Sequence, residues 1–207
     1  MSAEDVVYER LAPFYDWMSR ALLAPFGGDH KFRTAVVDAW SVQPGDRVLE
    51  LGCGTGLMTR ILLDRGAVVT SVDRSEPMLA RARVRAPEAT FIASDVLAFE
   101  PGAKYDRVIF SYILHELSAA DRAAALAIGR AALASGGLVG IVDFDESAAQ
   151  PVRALIDLWL RIAEPASARD WARHGFRREL RAAGLQLVRS APVGWGTARV
   201  GLAAPIS

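Results

Sequence analysis

Between Arg47 and Phe144, strand-length apolar runs alternate with helix-length stretches, and that rhythm admits few folds. Arg47 to Leu51 is a short apolar strand, and Thr55 to Arg65 follows as a helix closed by Gly66. Ala67 to Val72 is the next strand and ends in Asp73. Ser75 then caps a helix with Pro77 in its first turn, where the missing amide is not needed. Thr90 to Ala93 is a third strand, running into Ser94-Asp95, and Arg107 to Phe110 is a fourth. Ser118 caps an alanine-rich helix that reaches Ala134, and Gly136-Gly137 turns the chain into a fifth strand, Leu138 to Phe144. Such spacing predicts parallel βαβ units with right-handed crossovers. Uninterrupted apolar strands such as Val139-Gly140-Ile141-Val142 suit a sheet covered on both faces.

The flanks read differently. Val7, Leu11, Tyr15, Met18 and Leu22 recur at helical spacing despite Pro13, and Phe32, Val36 and Trp40 form a second helical stripe. At the other end, Leu185 to Val193, Gly194-Trp195-Gly196 and Thr197 to Ala203 read as two strands joined by a turn. The expected fold is α/β: a doubly wound, mostly parallel seven-stranded sheet with a C-terminal antiparallel hairpin and helices on both faces. One domain over 1–207 is expected, with an N-terminal helical lid (1–45), a cofactor-binding core (46–144), substrate-side helices (145–184) and the hairpin (185–207).

Charge and cysteine content narrow the function classes. Lys plus Arg and Asp plus Glu balance at 24 each, so no global field would hold a polyanion, and a nucleic-acid partner is not expected. Cys53 is the only cysteine, which forbids an intrachain disulfide and suits a reducing compartment. With an acidic start at Met1-Ser2-Ala3-Glu4-Asp5 and no apolar run of membrane length, the expected location is cytoplasmic.

In open α/β sheets, ligands sit at the carboxyl ends of the strands, where the strand order reverses. Gly52-Cys53-Gly54-Thr55-Gly56 falls there, between the first strand and its helix. The spacing is G-x-G-x-G, whereas a pyrophosphate-binding loop has G-x-G-x-x-G. Glu50 beside the loop would repel a pyrophosphate and attract the amino group or sulfonium of a cationic ligand. Asp73, ending the second strand, is placed to accept hydrogen bonds from both ribose hydroxyls, and Asp95 after the third strand to accept one from an adenine amino group. Three acids on successive strand ends, around a glycine loop, describe a nucleoside with positive charge and no phosphate.

Val48-Leu49-Glu50-Leu51-Gly52-Cys53-Gly54-Thr55-Gly56, then Asp73-Arg74-Ser75-Glu76-Pro77-Met78-Leu79, then Asp95-Val96, resemble the first three motifs of the Rossmann-like (class I) S-adenosylmethionine-dependent methyltransferases. The opening Tyr8-Glu9-Arg10-Leu11-Ala12-Pro13-Phe14-Tyr15-Asp16 is similar to that of the ubiquinone/menaquinone C-methyltransferases and bacterial phosphatidylethanolamine N-methyltransferases. The resemblance covers roughly residues 8 to 145 and implies S-adenosyl-L-methionine as cofactor. By position it implies that Gly52, Cys53, Gly54 and Gly56 wrap the methionine end, with Glu50 and Tyr15 beside them. Asp73 would hold the ribose, Arg74 and Met78 would flank the adenine, and Asp95 and Val96 would meet its edge. Ser111 would lie near the sulfonium and the acceptor.

The remaining candidates carry competing readings. Ser111, Tyr112 and His115 follow the fourth strand; a helical turn beginning near Ser111 would put Ser111 and His115 on one face, with His115 as a general base. The alternative is a histidine that only caps or packs against the next helix. No metal site is expected, since an H-E-x-x-H motif would need a histidine at Ala119. Cys53 reads as a small buried filler, and Arg81, Arg83 and Arg85 as a solvated helix face. Arg169 to Arg181 is either a substrate wall or an amphipathic packing helix.

The expected function is methyl transfer to a small molecule or lipid headgroup, with peripheral membrane contact and oligomeric state left open. Methylation of exocyclic base amines is disfavoured, because the Asn/Asp-Pro-Pro-Tyr/Phe run of such enzymes is replaced by Ser111-Tyr112-Ile113-Leu114. Two rivals stand beside it: a nicotinamide-dependent oxidoreductase, and a non-catalytic S-adenosylmethionine-binding regulatory or partner protein.

Overall fold

A computed structural model describes residues 27–145, 154 and 166–206. The expected lid over Tyr8 to Phe26, Tyr15 at the cofactor and most of the stretch from 146 to 165 lie outside the described residues.

The chain forms α1 (Asp29–Ala39), β1 (Arg47–Leu51), α2 (Leu57–Asp64), β2 (Val68–Asp73), α3 (Glu76–Arg85), β3 (Thr90–Ala93) and β4 (Tyr105–Ser111). These are followed by α4 (Ala119–Ala132), β5 (Leu133–Phe144), α5 (Ala166–Ala182), β6 (Leu185–Val193) and β7 (Ala198–Pro205). The sheet has seven strands in the order β3-β2-β1-β4-β5-β7-β6. β1 to β5 pair in parallel, and β7 enters antiparallel between β5 and β6. The doubly wound sheet and the terminal hairpin are thus as the sequence predicts.

Strand alternation divides the core between the two faces. Val48, Ile109 and Val142 pack with Trp40 of the α1 end and Met58 and Leu62 of α2. Leu49, Leu51, Val108, Phe110, Val139 and Ile141 pack with Leu126 of α4 and Trp171 and Leu180 of α5. Each face is covered and mostly apolar, which accounts for strands with little polar alternation. Trp40 is fully buried, and its indole N–H donates to Ile141 O at 3.3 Å.

Two boundaries differ from expectation. α4 stops at Ala132, two residues early, and the chain is already paired at Leu133. The register then jumps from Tyr105↔Leu133 to Arg107↔Leu138, so Ala134–Gly137 forms a bulge inside β5. Gly136, at φ 76°, supplies the left-handed residue that the bulge requires. Ser75 stands at the N-cap of α3 without a side-chain capping bond, whereas Ser118 caps α4 by accepting from Asp121 N at 3.2 Å. α5 resolves one open alternative at two positions: Trp171 and Leu180 are fully buried in the core, so α5 packs against the sheet through them.

Candidate active site

The strand order reverses between β1 and β4, and the loops leaving their carboxyl ends meet there. β1 runs into Gly52, whose N–H and that of Cys53 both donate to Val72 O, at 2.8 and 3.1 Å. Gly52, Gly54 and Gly56 all have positive φ, at 77°, 53° and 75°. Gly56 is the N-cap of α2, and a side chain there would lie 2.9 Å from Ala82 Cβ of α3. A Cβ on Gly54 would meet nothing within 4 Å, so the loop presents bare backbone toward open space at that point.

Asp73 is half-buried at the end of β2, and its carboxylate is bound to backbone on both oxygens. Oδ2 accepts from Gly54 N at 2.7 Å, and Oδ1 from Ser75 N at 2.9 Å. Burial is the largest influence on this carboxyl and raises its pKa above the usual value, against the lowering effect of those amides. Arg74 is exposed beside it, and Met78 is buried on α3. Asp95 is exposed; its Oδ1 accepts from Leu97 N at 2.8 Å and caps the short 3₁₀ turn Val96–Ala98. Val96 itself is buried in the core beneath α4.

Glu50 is placed differently from the expectation of a carboxylate facing the loop. Residues 48 and 50 share the strand face toward α1 and α2, and Glu50 is only 1% exposed. Its Oε2 accepts from Thr59 Oγ1 of α2 at 2.5 Å and from Ser71 Oγ of β2 at 3.0 Å. Oε1 is buried without a hydrogen-bond partner among the described residues. Burial pushes this carboxyl up to about 7. Cys53 is buried as well; burial, then the nearby carboxylates of Glu50 and Asp73, raise its thiol far above the ordinary range, which makes it inert filler.

β4 ends at Ser111, and Tyr112 turns the chain sharply with φ 55°, a left-handed conformation that costs a non-glycine residue roughly 1–2 kcal/mol. Tyr112 N donates to Val142 O at 2.9 Å, and Ile113 then covers the glycine loop: a Cβ on Gly52 would fall 2.3 Å from Ile113 Cδ1. The segment after β4 turns as a 3₁₀ helix only at Leu114–Glu116, so the expected shared face of Ser111 and His115 does not form. The residues brought together are Tyr112, His115 and Phe144, with ring centroids 4.8 Å apart for His115–Phe144 and 5.5 Å for Tyr112–Phe144.

The sequence reading missed Asp143. It is fully buried near the end of β5, and its Oδ1 lies 2.7 Å from His115 Nδ1. Its Oδ2 also accepts from His115 N at 3.2 Å, and Oδ1 from Phe144 N at 2.8 Å. The available signal was a single acid in an otherwise apolar strand, which a covered sheet face tolerates only with a partner.

Comparison with known proteins agrees with this geometry. Residues 48–137 match a family model described as a methyltransferase domain. The chain is 32% identical to a demethylmenaquinone methyltransferase of Beutenbergia cavernae, over 75% of this chain and 63% of that protein. It is 30% identical to the demethylmenaquinone methyltransferase of Parafrankia sp., over 79% of this chain and 71% of that protein. The chain spans about three fifths to two thirds of the length of the curated relatives it first matches. Among solved structures, the DhpI complex with SAH superposes with a TM-score of 0.71 at 22% identity, over 98% of this chain and 95% of that one, a likeness of fold.

Proposed function

The chain belongs to the Rossmann-like (class I) S-adenosylmethionine-dependent methyltransferases, and from that premise we propose that it moves a methyl group from S-adenosyl-L-methionine to a small molecule or lipid headgroup. The observation that carries the reading is the brace between Gly54 and Asp73 across the glycine loop at the switch point. The residues fit the cofactor by an independent criterion. The space above Gly54 is open, and the Asp73 carboxylate, with about four acceptor sites, has capacity for a ribose hydroxyl beside the backbone amides that it holds.

In this reading, backbone from Gly52 to Gly56 holds the methionine end, Asp73 the ribose, and Arg74, Met78, Asp95 and Val96 the adenine. The bound cofactor supplies a methyl group already activated on a sulfonium. The protein's own task is to align the acceptor and exclude water. His115 is the general base of this proposal, with Ser111 and Tyr112 lining the acceptor's approach. Residues 1–45 and 145–184 select the acceptor, within a single domain. The helices among the described residues are too short or too polar to cross a membrane, and the proposal places the protein in the cytoplasm, with at most peripheral contact to a lipid surface.

Calorimetric titration tests the reading. Adenosylhomocysteine is expected to bind in the micromolar range, roughly −8 kcal/mol, with NADH giving no heat. Tighter binding of NADH would overturn it, and cofactor binding without turnover across an acceptor panel would leave a non-catalytic binder.

A further inference from the structure

We propose that Asp143 is a positioning residue for cofactor binding: its buried carboxylate clamps the turn after β4, and the clamped turn lays Ile113 over the glycine loop at Gly52. This rests on the methyltransferase reading above and adds a determinant of cofactor affinity that lies on β5, away from the glycine loop and the strand-end acids.

The turn is not held by its own residues. Tyr112 stands at φ 55°, a left-handed conformation that a β-carbon resists, and such strain persists only where the surroundings fix it. The 3₁₀ segment Leu114–Glu116 that follows has no side-chain cap from Ile113 before it. Acceptors for the turn come instead from two successive residues of β5. Val142 O accepts from Tyr112 N at 2.9 Å, and Asp143 Oδ2 accepts from His115 N at 3.2 Å. Asp143 Oδ1 lies 2.7 Å from His115 Nδ1 and accepts from Phe144 N at 2.8 Å. One carboxylate thus ties together the turn's backbone, its histidine ring and the end of β5. A fully buried carboxylate on an apolar strand persists only when its oxygens are bonded in this way.

Ile113 is where the clamp reaches the glycine loop. Leu114, beside it, is fully buried and anchors the turn in the core. Ile113 is half-buried, packed against that core and over Gly52. Gly52, at φ 77°, has no side chain to hold the turn away, and a Cβ there would collide with the Ile113 side chain. In the reading above, Gly52 belongs to the backbone that holds the methionine end of the cofactor, so Ile113 borders that same end. A wall fixed in place before binding lowers the ordering cost of the complex, and Asp143 supplies that fixation from 28 residues away.

Calorimetric titration with adenosylhomocysteine, run beside thermal melts, tests the coupling. Ile113→Ala leaves the buried carboxylate intact and should weaken binding about tenfold, as apolar surface is lost from the wall. Asp143→Asn sets an amide donor against N–H groups that a carboxylate accepted, and should also weaken binding about tenfold. In the double variant the losses should not multiply, because both act through one contact; the total should stay near tenfold. A loss of about a hundredfold, the product of the two, would overturn the proposal, and so would parent-like affinity in Ile113→Ala. If Asp143→Asn fails to fold, His115→Ala takes its place in the cycle. It removes the ring bond and keeps the backbone amide, with an expected loss of about fivefold that Ile113→Ala masks. Lower melting temperatures at unchanged affinity would leave Asp143 a role in stability alone and overturn the proposal. Absence of adenosylhomocysteine binding by the parent protein would instead sink the underlying methyltransferase reading.

Discussion

The backbone amide of Gly54 donates a 2.7 Å hydrogen bond to Asp73 Oδ2, tying the loop after β1 to the acid that ends β2. The sequence reading gives Asp73 a ligand-binding task; the structure adds that it also shapes the loop. The second oxygen holds Ser75 N at the start of α3, so three segments converge on one carboxylate. Preorganisation of this kind lowers the ordering cost of binding.

Asp73→Ala is therefore expected to act twice. Adenosylhomocysteine affinity should fall by about 1.5–3 kcal/mol, as ribose hydroxyls and the Gly54 amide lose a charged acceptor. Stability should fall by about 1 kcal/mol from the lost loop bonds. Calorimetry and thermal melts measure the two separately. Unchanged affinity in a variant of normal stability would remove Asp73 from the binding site.

The glycines of the loop should separate by mechanism. Gly56→Ala places a Cβ 2.9 Å from Ala82 Cβ and 3.0 Å from Ala82 Cα at φ 75°, so it should disturb α2–α3 packing and lower the melting temperature markedly. Gly54→Ala meets nothing within 4 Å and should cost only the left-handed backbone term, roughly 1–2 kcal/mol. Its main effect should be on ligand affinity, because the methyl group enters the open space above the loop. If Gly54→Ala binds adenosylhomocysteine like the parent, that space does not hold the cofactor.

The loop and the acid that braces it show why part of the candidate site's geometry was legible. Gly52 to Gly56 and Asp73 are defined by local spacing and by position at strand ends, which an apolar periodicity locates well. The His115–Asp143 pair spans 28 residues and two strands, and depends on the β4–β5 register that seats Ser111 beside Val142. Nothing local announces such a pairing. Glu50 was harder to place for a different reason: its neighbours in sequence are loop residues, but strand alternation turns its side chain to the opposite sheet face from Leu49 and Leu51. The helical turn expected at Ser111 gave way to Tyr112 in a left-handed conformation, which no propensity of tyrosine foretells.

Glu50 should leave a pH signature in stability. Its carboxyl is raised from 4.5 to about 7 in the folded protein, chiefly by burial. Between those values the folded chain retains a proton that the unfolded chain has released, so stability should fall as pH rises through that window and level off above about 7. The shift corresponds to about 3 kcal/mol. Glu50→Gln keeps an oxygen for Thr59 and Ser71 but cannot ionise. The difference in unfolding free energy between parent and variant should grow in the variant's favour from pH 4.5 to 7. Parallel stability curves for the two proteins would refute the assignment.

Arg122 is the last test, because it joins the helices that support the His115 turn. Its side chain is fully buried on α4, bonded to Asp170, donating to Ser167 O at 3.2 Å and lying 3.8 Å from Glu179. Its guanidinium is 5.5 Å from the Trp171 ring centroid, so one planar cation organises the face of α5 that meets α4. Ser167 Oγ in turn donates to Glu116 O at 3.2 Å, next to His115. Arg122→Ala removes the cation and leaves Glu179 buried beside no charge, which should cost about 3–5 kcal/mol. Arg122→Lys keeps the charge without the fork and should fall between. Hydrogen exchange in Arg122→Ala should accelerate across α5 and in the turn at Leu114–Glu116, while β1, β2 and α2 keep their protection. Uniform acceleration through the whole sheet would mean that Arg122 supports global stability only, with no selective hold on the turn that carries His115.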